Sequence, residues 1–322
     1  MRAPLIARWK RETSVSFSLP LGRFVDPDDV RGYPVDFRTK ASAPRWPPKW
    51  IDPSDPEWVW VAAAQWGLGA FEHHVAGDGK DWLEAALGAG RYLLAAQQIG
   101  GDRDGAWLHE NDFPHTFPLS PPWISAMAQG EAASLLVRLY RETGDDELAE
   151  AAGRALRPLA VPSAAGGTSA LLDGRPFPEE YPTDPPSFVL NGGIFALWGV
   201  HDVAVALDDA DARRRFEEGV DTLAGAIHRW DTAYWSLYDL FPHAALNIAS
   251  PAYHELHITQ LRAMHALAPR RELAQAADRF ERYLANPVSR AHALARKVLF
   301  RLVVPRNQLL ARRLPWVPKP PA

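Results

Sequence analysis

From about residue 55 onward the apolar positions of this chain keep a helical rhythm, interrupted by two kinds of connection. DPEWVWVAAAQWGLGAFEHHV opens on an Asp-Pro start and runs to the turn at Gly77–Gly79. DWLEAALGAGRYLLAAQQI follows, with Asp81 placed to cap it. The alternation then repeats: ISAMAQGEAASLLVRLYRETG with DDELAEAAGRALRPL, SFVLNGGIFALWGVHDVAVAL with DARRRFEEGVDTLAGAIHRW, and AYHELHITQLRAMHAL with RRELAQAADRFERYLA. The first helices of these pairs start near Glu57, Ile124, Ser187 and Ala252, at intervals of about 65 residues. Connections within a pair are short; those between pairs (100–122, 160–186 and the stretch from Arg229) are long. A repeat of this kind predicts a mainly α fold, an α/α barrel or toroid of about four helical hairpins. It also brings the three long loops to one side of the barrel, so residues distant in sequence can converge there.

The flanks differ. Residues 1–50 predict a short irregular N-terminal arm on the surface of the main domain: SVSFSLPL suits a short strand, and PRWPPKWIDP suits turn or polyproline structure. The helical domain is expected over 51–285 and a basic C-terminal extension over 286–322. From Pro287 onward there are eight Lys and Arg and no acid, which leaves about −12 on the remainder of a chain whose net charge is −4. This extension, with Trp316 near its end, suits either an anionic membrane surface or a helix packed on the barrel with its arginines in solvent. The overall charge gives no reason to expect nucleic acid. With no cysteine, disulfides, thiolate metal sites and cysteine nucleophiles are excluded. No run reaches transmembrane length, and MRAPLIARWKRETSV lacks the apolar stretch of a secretory signal. The expectation is a cytoplasmic protein, peripheral at the inner membrane face if the extension meets lipid; a homodimer is also open.

The long loops carry the chemistry. PLSPPWISAMAQG contributes Trp123 and Gln129, and FPEEYPTDPPSFVLNGG contributes Glu180, Tyr181 and Asn191. WDTAYWSLYDL contributes Tyr238 and Asp239, and YHELHITQL contributes Tyr253, His254 and His257. Aromatic faces beside polar groups suit pyranose rings, whose C–H faces stack while their hydroxyls need hydrogen bonds. Any single ring here is better read as packing; the whole set at one mouth reads as a site. Asn191-Gly192-Gly193 and Gln129-Gly130 are open to two readings, close helix packing or reach into the cleft. Asp239 is a second carboxylate or a loop cap. His257 reads as a hydrogen-bonding wall residue. Neither His73-His74 nor His254-x-x-His257 has a partner set at known zinc spacing, so no metal is expected.

WISAMAQGEAASLLVRLY, EEYPTDPPSFVLNG, YDL and YHELHITQL together resemble the C-terminal helical domain of the D-glucuronyl C5-epimerases of heparan sulfate and heparin biosynthesis. The resemblance covers roughly residues 51–285. It implies an α/α barrel of four hairpins and conversion of D-glucuronate to L-iduronate within a uronate-containing polysaccharide, without a cofactor. It carries over Tyr181, Tyr238, Tyr253 and Glu180 as the catalytic set. C5 lies alpha to the carboxylate, so its hydrogen is weakly acidic, and removing it as a proton leaves an enolate-like carbanion that needs electrostatic stabilisation. Inversion needs a base on one ring face and an acid on the other. A phenol has an ordinary pKa near 10 and needs a neighbouring cation or donor to act as base.

Two departures stand out. The family follows Tyr-Asp-Leu with Arg-His, an arginine expected to hold the uronate carboxylate, whereas this chain reads Phe241-Pro242. His243, His254 or His257 are the substitutes in the sequence, or the substrate differs. The family also has large β domains ahead of the helical one, where this chain has about fifty residues; a more open groove, or one completed by a second subunit, would follow. Three rival readings remain: a polysaccharide lyase, an inverting glycoside hydrolase using Glu180 with Asp239, and a glycan-binding protein without turnover.

Overall fold

The computed structural model describes residues 19–52, 59–111, 116–117 and 119–305. Glu57 and the extension beyond 305, Trp316 included, lie outside the described residues. Four helical hairpins follow one another: α1 (Val59–Ala76) with α2 (Asp81–Ala96), α3 (Ala126–Thr143) with α4 (Asp146–Ala155), α6 (Leu190–Ala206) with α7 (Ala210–Ala226), and α8 (Pro251–Leu267) with α9 (Arg271–Ala285). A single turn, α5 (Arg157–Ala160), follows α4, and α10 (Pro287–Val303) follows the last hairpin. Local chemistry sets the boundaries. Ser125, Asp145, Asp209 and Ser250 each accept a backbone N–H in the first turn of the helix that follows, and Gly144 ends α3 in the left-handed conformation.

The first helix of each hairpin packs on the first helix of the next, α1 on α3, α3 on α6 and α6 on α8, while α2, α4, α7 and α9 back their own partners. Burial follows this order. From Ala126 to Leu139 α3 is buried on every side, as α6 is from Leu190 to Ala204. Helices apolar all round must be enclosed; α7 and α9 bury only a stripe. The α3–α6 crossing is close because two glycines face each other: a Cβ on Gly199 would sit 2.3 Å from the Gly130 Cα. For Gly130 the packing reading therefore holds.

The long connections contain small sheets. Leu108–His109 (β1) pairs antiparallel with Trp123–Ile124 (β2). Ser169–Leu172 (β3) pairs with Arg175–Pro178 (β4) through Asp173-Gly174, both at positive φ. This hairpin lies within what the sequence pattern gave as loop.

The N-terminal arm was expected on the surface, and the structure builds it into the core instead. Tyr33, Val35 and Phe37 are fully buried. Tyr33 N donates to Glu72 Oε1 at 2.6 Å, and Arg138 reaches the Gly32 carbonyl while its other nitrogen donates to Asp202 at 2.6 Å. The arm is irregular, with backbone bonds from Gly22 to Pro34 and from Asp36 to Pro20, and it ends in a short 3-10 turn, Arg38–Lys40. At the other end α10 packs on α9, buries Ser289, Ala293 and Phe300, the last edge to face on His243, and leaves Val288, Leu294, Val298, Leu299 and Leu302 exposed. Among the described residues no helix is long and apolar enough to cross a membrane.

Candidate active site

A cavity of about 170 Å³ takes lining residues from the leading helices of both the first and the last hairpin. α1 lends Val61 and Gln65, α8 lends Ala252, Tyr253 and Leu256, and between them lie Trp123, Glu180, Tyr181 and Asn191. Trp123 and Ser125 from the first inter-hairpin connection and Glu180 and Tyr181 from the second thus converge at one place with the start of α8.

Glu180 and Tyr181 sit just past β4 in a loop held from within by Glu179. The buried Glu179 carboxylate accepts from Ser187 N and Oγ at 2.7 and 2.8 Å and from Phe188 N at 2.9 Å. Burial still pushes this carboxyl up to about 7. The loop is sewn to the next connection by Leu190 N to the Tyr238 carbonyl and Leu240 N to the Ser187 carbonyl. That brings Tyr238 to Tyr181. The Tyr181 phenol stands beside both the Tyr238 phenol and the Glu180 carboxyl, near enough that each acts on its titration. Tyr253, in the first turn of α8, meets Tyr238 edge to face with ring centroids 4.9 Å apart. Phe117 stacks on Tyr181 at 4.9 Å, and Trp123 lies 5.8 Å from it.

Electrostatics follow burial. Desolvation raises the Glu180 carboxyl to about 8, opposed by the neighbouring Tyr181 hydroxyl and reinforced by Glu179 and Asp239. Its Oε2 is buried without a hydrogen-bond partner. Burial, and then the Glu180 charge, raise Tyr181 and Tyr238 well above the ordinary phenol value. At rest this is a cluster of protonated phenols beside a carboxyl that titrates at about 8. Gly192 makes room for it: a Cβ there would stand 2.1 Å from Glu180 Oε2. Asn191 lies on the wall with its Oδ1 buried and unpartnered.

Of the residues singled out from sequence, Glu180, Tyr181, Tyr253, Trp123 and Asn191 line the cavity, with Tyr238 directly behind. The other four lie away from it. Gln129 spends its amide on Trp107 N, the Gly105 carbonyl and the Ala155 carbonyl. Asp239 accepts from Phe241 N at 3.1 Å and from the Asn247 amide, with His243 Nε2 at 3.3 Å. His254 joins Ser236 Oγ to the Phe280 carbonyl, and His257 meets the same hydroxyl at 2.9 Å. Burial lowers His254 to about 4 and takes His257 well below its ordinary value, so both are neutral at pH 7. No group of three or more His, Asp and Glu among the described residues is arranged to hold a metal ion.

Sequence reading did not find Lys40 and Gln65, which also line the cavity. Lys40 donates to Gln65 Oε1, and Gln65 Nε2 donates to the buried Glu131 at 2.8 Å. No motif marks Lys40: it stands in an irregular arm, and only the burial of Phe37 three residues earlier turns it inward.

Fold and cavity together define a mainly α-helical protein of repeated hairpins whose cavity carries linked phenols and a carboxyl. The chain belongs to the family described as D-glucuronyl C5-epimerase C-terminus, whose sequence model matches residues 101–282. It is 33% identical over 181 residues to the D-glucuronyl C5-epimerase of Caenorhabditis elegans, an alignment that covers 51% of this chain and 29% of that protein. It is 29% identical over 160 residues to an uncharacterized protein of Methanocaldococcus jannaschii, covering 48% of this chain and 50% of that one. The aligned stretch thus spans half or less of either relative's length.

Proposed function

We propose that this protein is a uronate C5-epimerase acting on a glucuronate-containing polysaccharide, and that residues 51–285 close into an α/α barrel around the cavity. The observation that carries this reading is the gathering of Glu180, Tyr181 and Tyr253 on one cavity wall, with Tyr238 edge to face on Tyr253 behind them. In the reaction the C5–H bond breaks, its proton passes to a phenolic oxygen, and the electron pair delocalises into the sugar's carboxylate. A phenol on the opposite face then delivers a proton to C5. Tyr181 and Tyr253 are the two phenols on the cavity wall. Tyr181 has a route for its proton through Glu180, whose carboxyl titrates within reach of neutral pH. Trp123 offers a ring face to the pyranose, and Asn191 Oδ1 an acceptor for a hydroxyl. Asp239, His254 and His257 act as positioning residues for the loop that carries Tyr238, and Gln129 for the connection that leads to Trp123.

The test is proton NMR of unsulfated and N-sulfated glucuronate polymers incubated with the protein in D₂O. The expected result is loss of the H5 signal with chain length retained, abolished by Tyr253→Phe. Unsaturated ends would establish a lyase instead, shorter saturated chains a hydrolase, and an unchanged spectrum with intact binding a glycan-binding protein.

The basic, apolar outer face of α10 is assigned in this reading to an anionic membrane surface, which would place the protein peripherally on that membrane.

A further inference from the structure

The reaction above places a full negative charge, and then a second developing one, in a cavity walled largely by buried side chains. A carboxylate taken into such a site needs a cation on the wall, because unpaired charge is costly away from water. The family-matched stretch does not supply it. Phe241 occupies the position following Tyr-Asp-Leu and packs edge to face on Phe117 at 5.7 Å. His254 and His257 are held neutral behind the wall. Among the described residues that line the cavity, Lys40 is the single Lys or Arg.

We propose that Lys40, delivered by the N-terminal arm, holds the substrate's carboxylate and thereby makes the site specific for acidic sugars. The proposal rests on the epimerase reading of the same cavity. Three features of the structure support it. The arm is anchored from both sides of Lys40's wall: Phe37 is buried three residues earlier, and Gly69 on α1 leaves the Phe37 carbonyl so close that a Cβ would meet it at 2.3 Å. The ammonium is oriented by Gln65 and by the face of Phe37, 5.4 Å from the ring centroid. Gln65 in turn is fixed by Glu131. The cavity is therefore lined by the end of a hydrogen-bonded chain, Lys40–Gln65–Glu131, and by the Glu180 carboxyl and the Tyr181 and Tyr253 phenols. A uronate ring between them would direct its carboxylate to the first and its C5 to the second. Lys40 lies outside residues 101–282, so the arm completes a site that the matched stretch leaves without a cation.

The experiment compares wild type, Lys40→Met and Lys40→Arg of the full chain in two readouts. One is H5 exchange on a glucuronate polymer in D₂O; the other is binding, by calorimetry, of a glucuronate oligosaccharide against the same oligosaccharide with its carboxyls reduced to alcohols. Thermal melting establishes that the variants fold. The expected result is that wild type prefers the acidic ligand, that Lys40→Met loses this preference and raises KM by about tenfold or more, the scale of one charge-assisted hydrogen bond, and that Lys40→Arg retains most of both. A folded Lys40→Met that exchanges H5 with unchanged KM would overturn the assignment and leave the epimerase reading standing. A wild type that prefers the acidic ligand through Lys40 but never exchanges H5 would overturn the epimerase reading and leave Lys40 as the carboxylate site. Equal binding of both ligands by wild type would overturn the assignment.

Discussion

Glu180 shows how one residue's surroundings decide its chemistry. Its carboxyl is buried against Gly192, stands beside the Tyr181 hydroxyl and feels Glu179 and Asp239, with the net result that it titrates at about 8. Only the ionised form can draw the proton of Tyr181, so kcat/KM for H5 exchange is expected to rise with pH through this range. Glu131 is also raised by burial, and the two limbs can be told apart by substitution. Glu180→Gln keeps the shape, cannot accept the proton, and is expected to lose about a hundredfold or more in rate together with the alkaline rise. A pH–rate profile in which Glu180→Gln keeps that rise would assign it to another group. At this scale the sequence was partly readable. Glu180, Tyr181 and Tyr253 stand in distinctive local strings. Lys40 and Gln65 could not be seen, because what makes them site residues is burial of the arm, a tertiary event with no local signature. His254 and His257 sit in an equally distinctive string, yet the helix turns them toward Ser236 and Phe280 rather than toward the cavity.

The helical hairpins were readable as elements because each boundary is set by nearby residues: a Ser or Asp cap, Gly144 in left-handed conformation, and a stripe or a full surround of apolar positions. The β3–β4 hairpin was missed although Asp173-Gly174 is a recognised two-residue turn. Its strands are four residues each, and SALL and RPFP do not alternate cleanly. The arm was placed on the surface because its prolines suggest exposed structure, whereas the buried Arg138 ties it down. That tie can be tested. Arg138 bonds Asp202, the Ser134 carbonyl and the Gly32 carbonyl, all buried. Arg138→Met strands the Asp202 charge and is expected to cost about 3–5 kcal/mol in urea denaturation, with much of it recovered in Arg138→Met/Asp202→Leu. An equal loss in single and double variants would mean that the arm contact, not the buried charge, carries the effect.

For the molecule as a whole, the distribution of charge separates two surfaces. The face of α10 turned from α9 presents Leu294, Val298 and Leu302 at successive turns, with Val288 and Leu299 beside them, and each is at least 44% exposed. The helix contains four Lys or Arg and no acid. Apolar side chains in a row, flanked by cations, match the interfacial zone of an anionic bilayer, where burial of the apolar stripe and attraction to headgroups add. The inner side of the same helix is committed elsewhere: Lys297 donates to Asn247 Oδ1 and the Ile248 carbonyl at 2.9 and 2.7 Å, bracing the loop that ends in Tyr253's helix. Membrane contact would therefore load a helix that already touches the site's support. The expected result is sedimentation of the protein with phosphatidylserine-containing vesicles at low salt, weakened by higher salt, and lost in Leu294→Ser/Leu302→Ser with H5 exchange on a soluble polymer unchanged. Loss of a dimer in that variant, seen by light scattering without any vesicle binding in wild type, would instead give the face to a second copy of the chain.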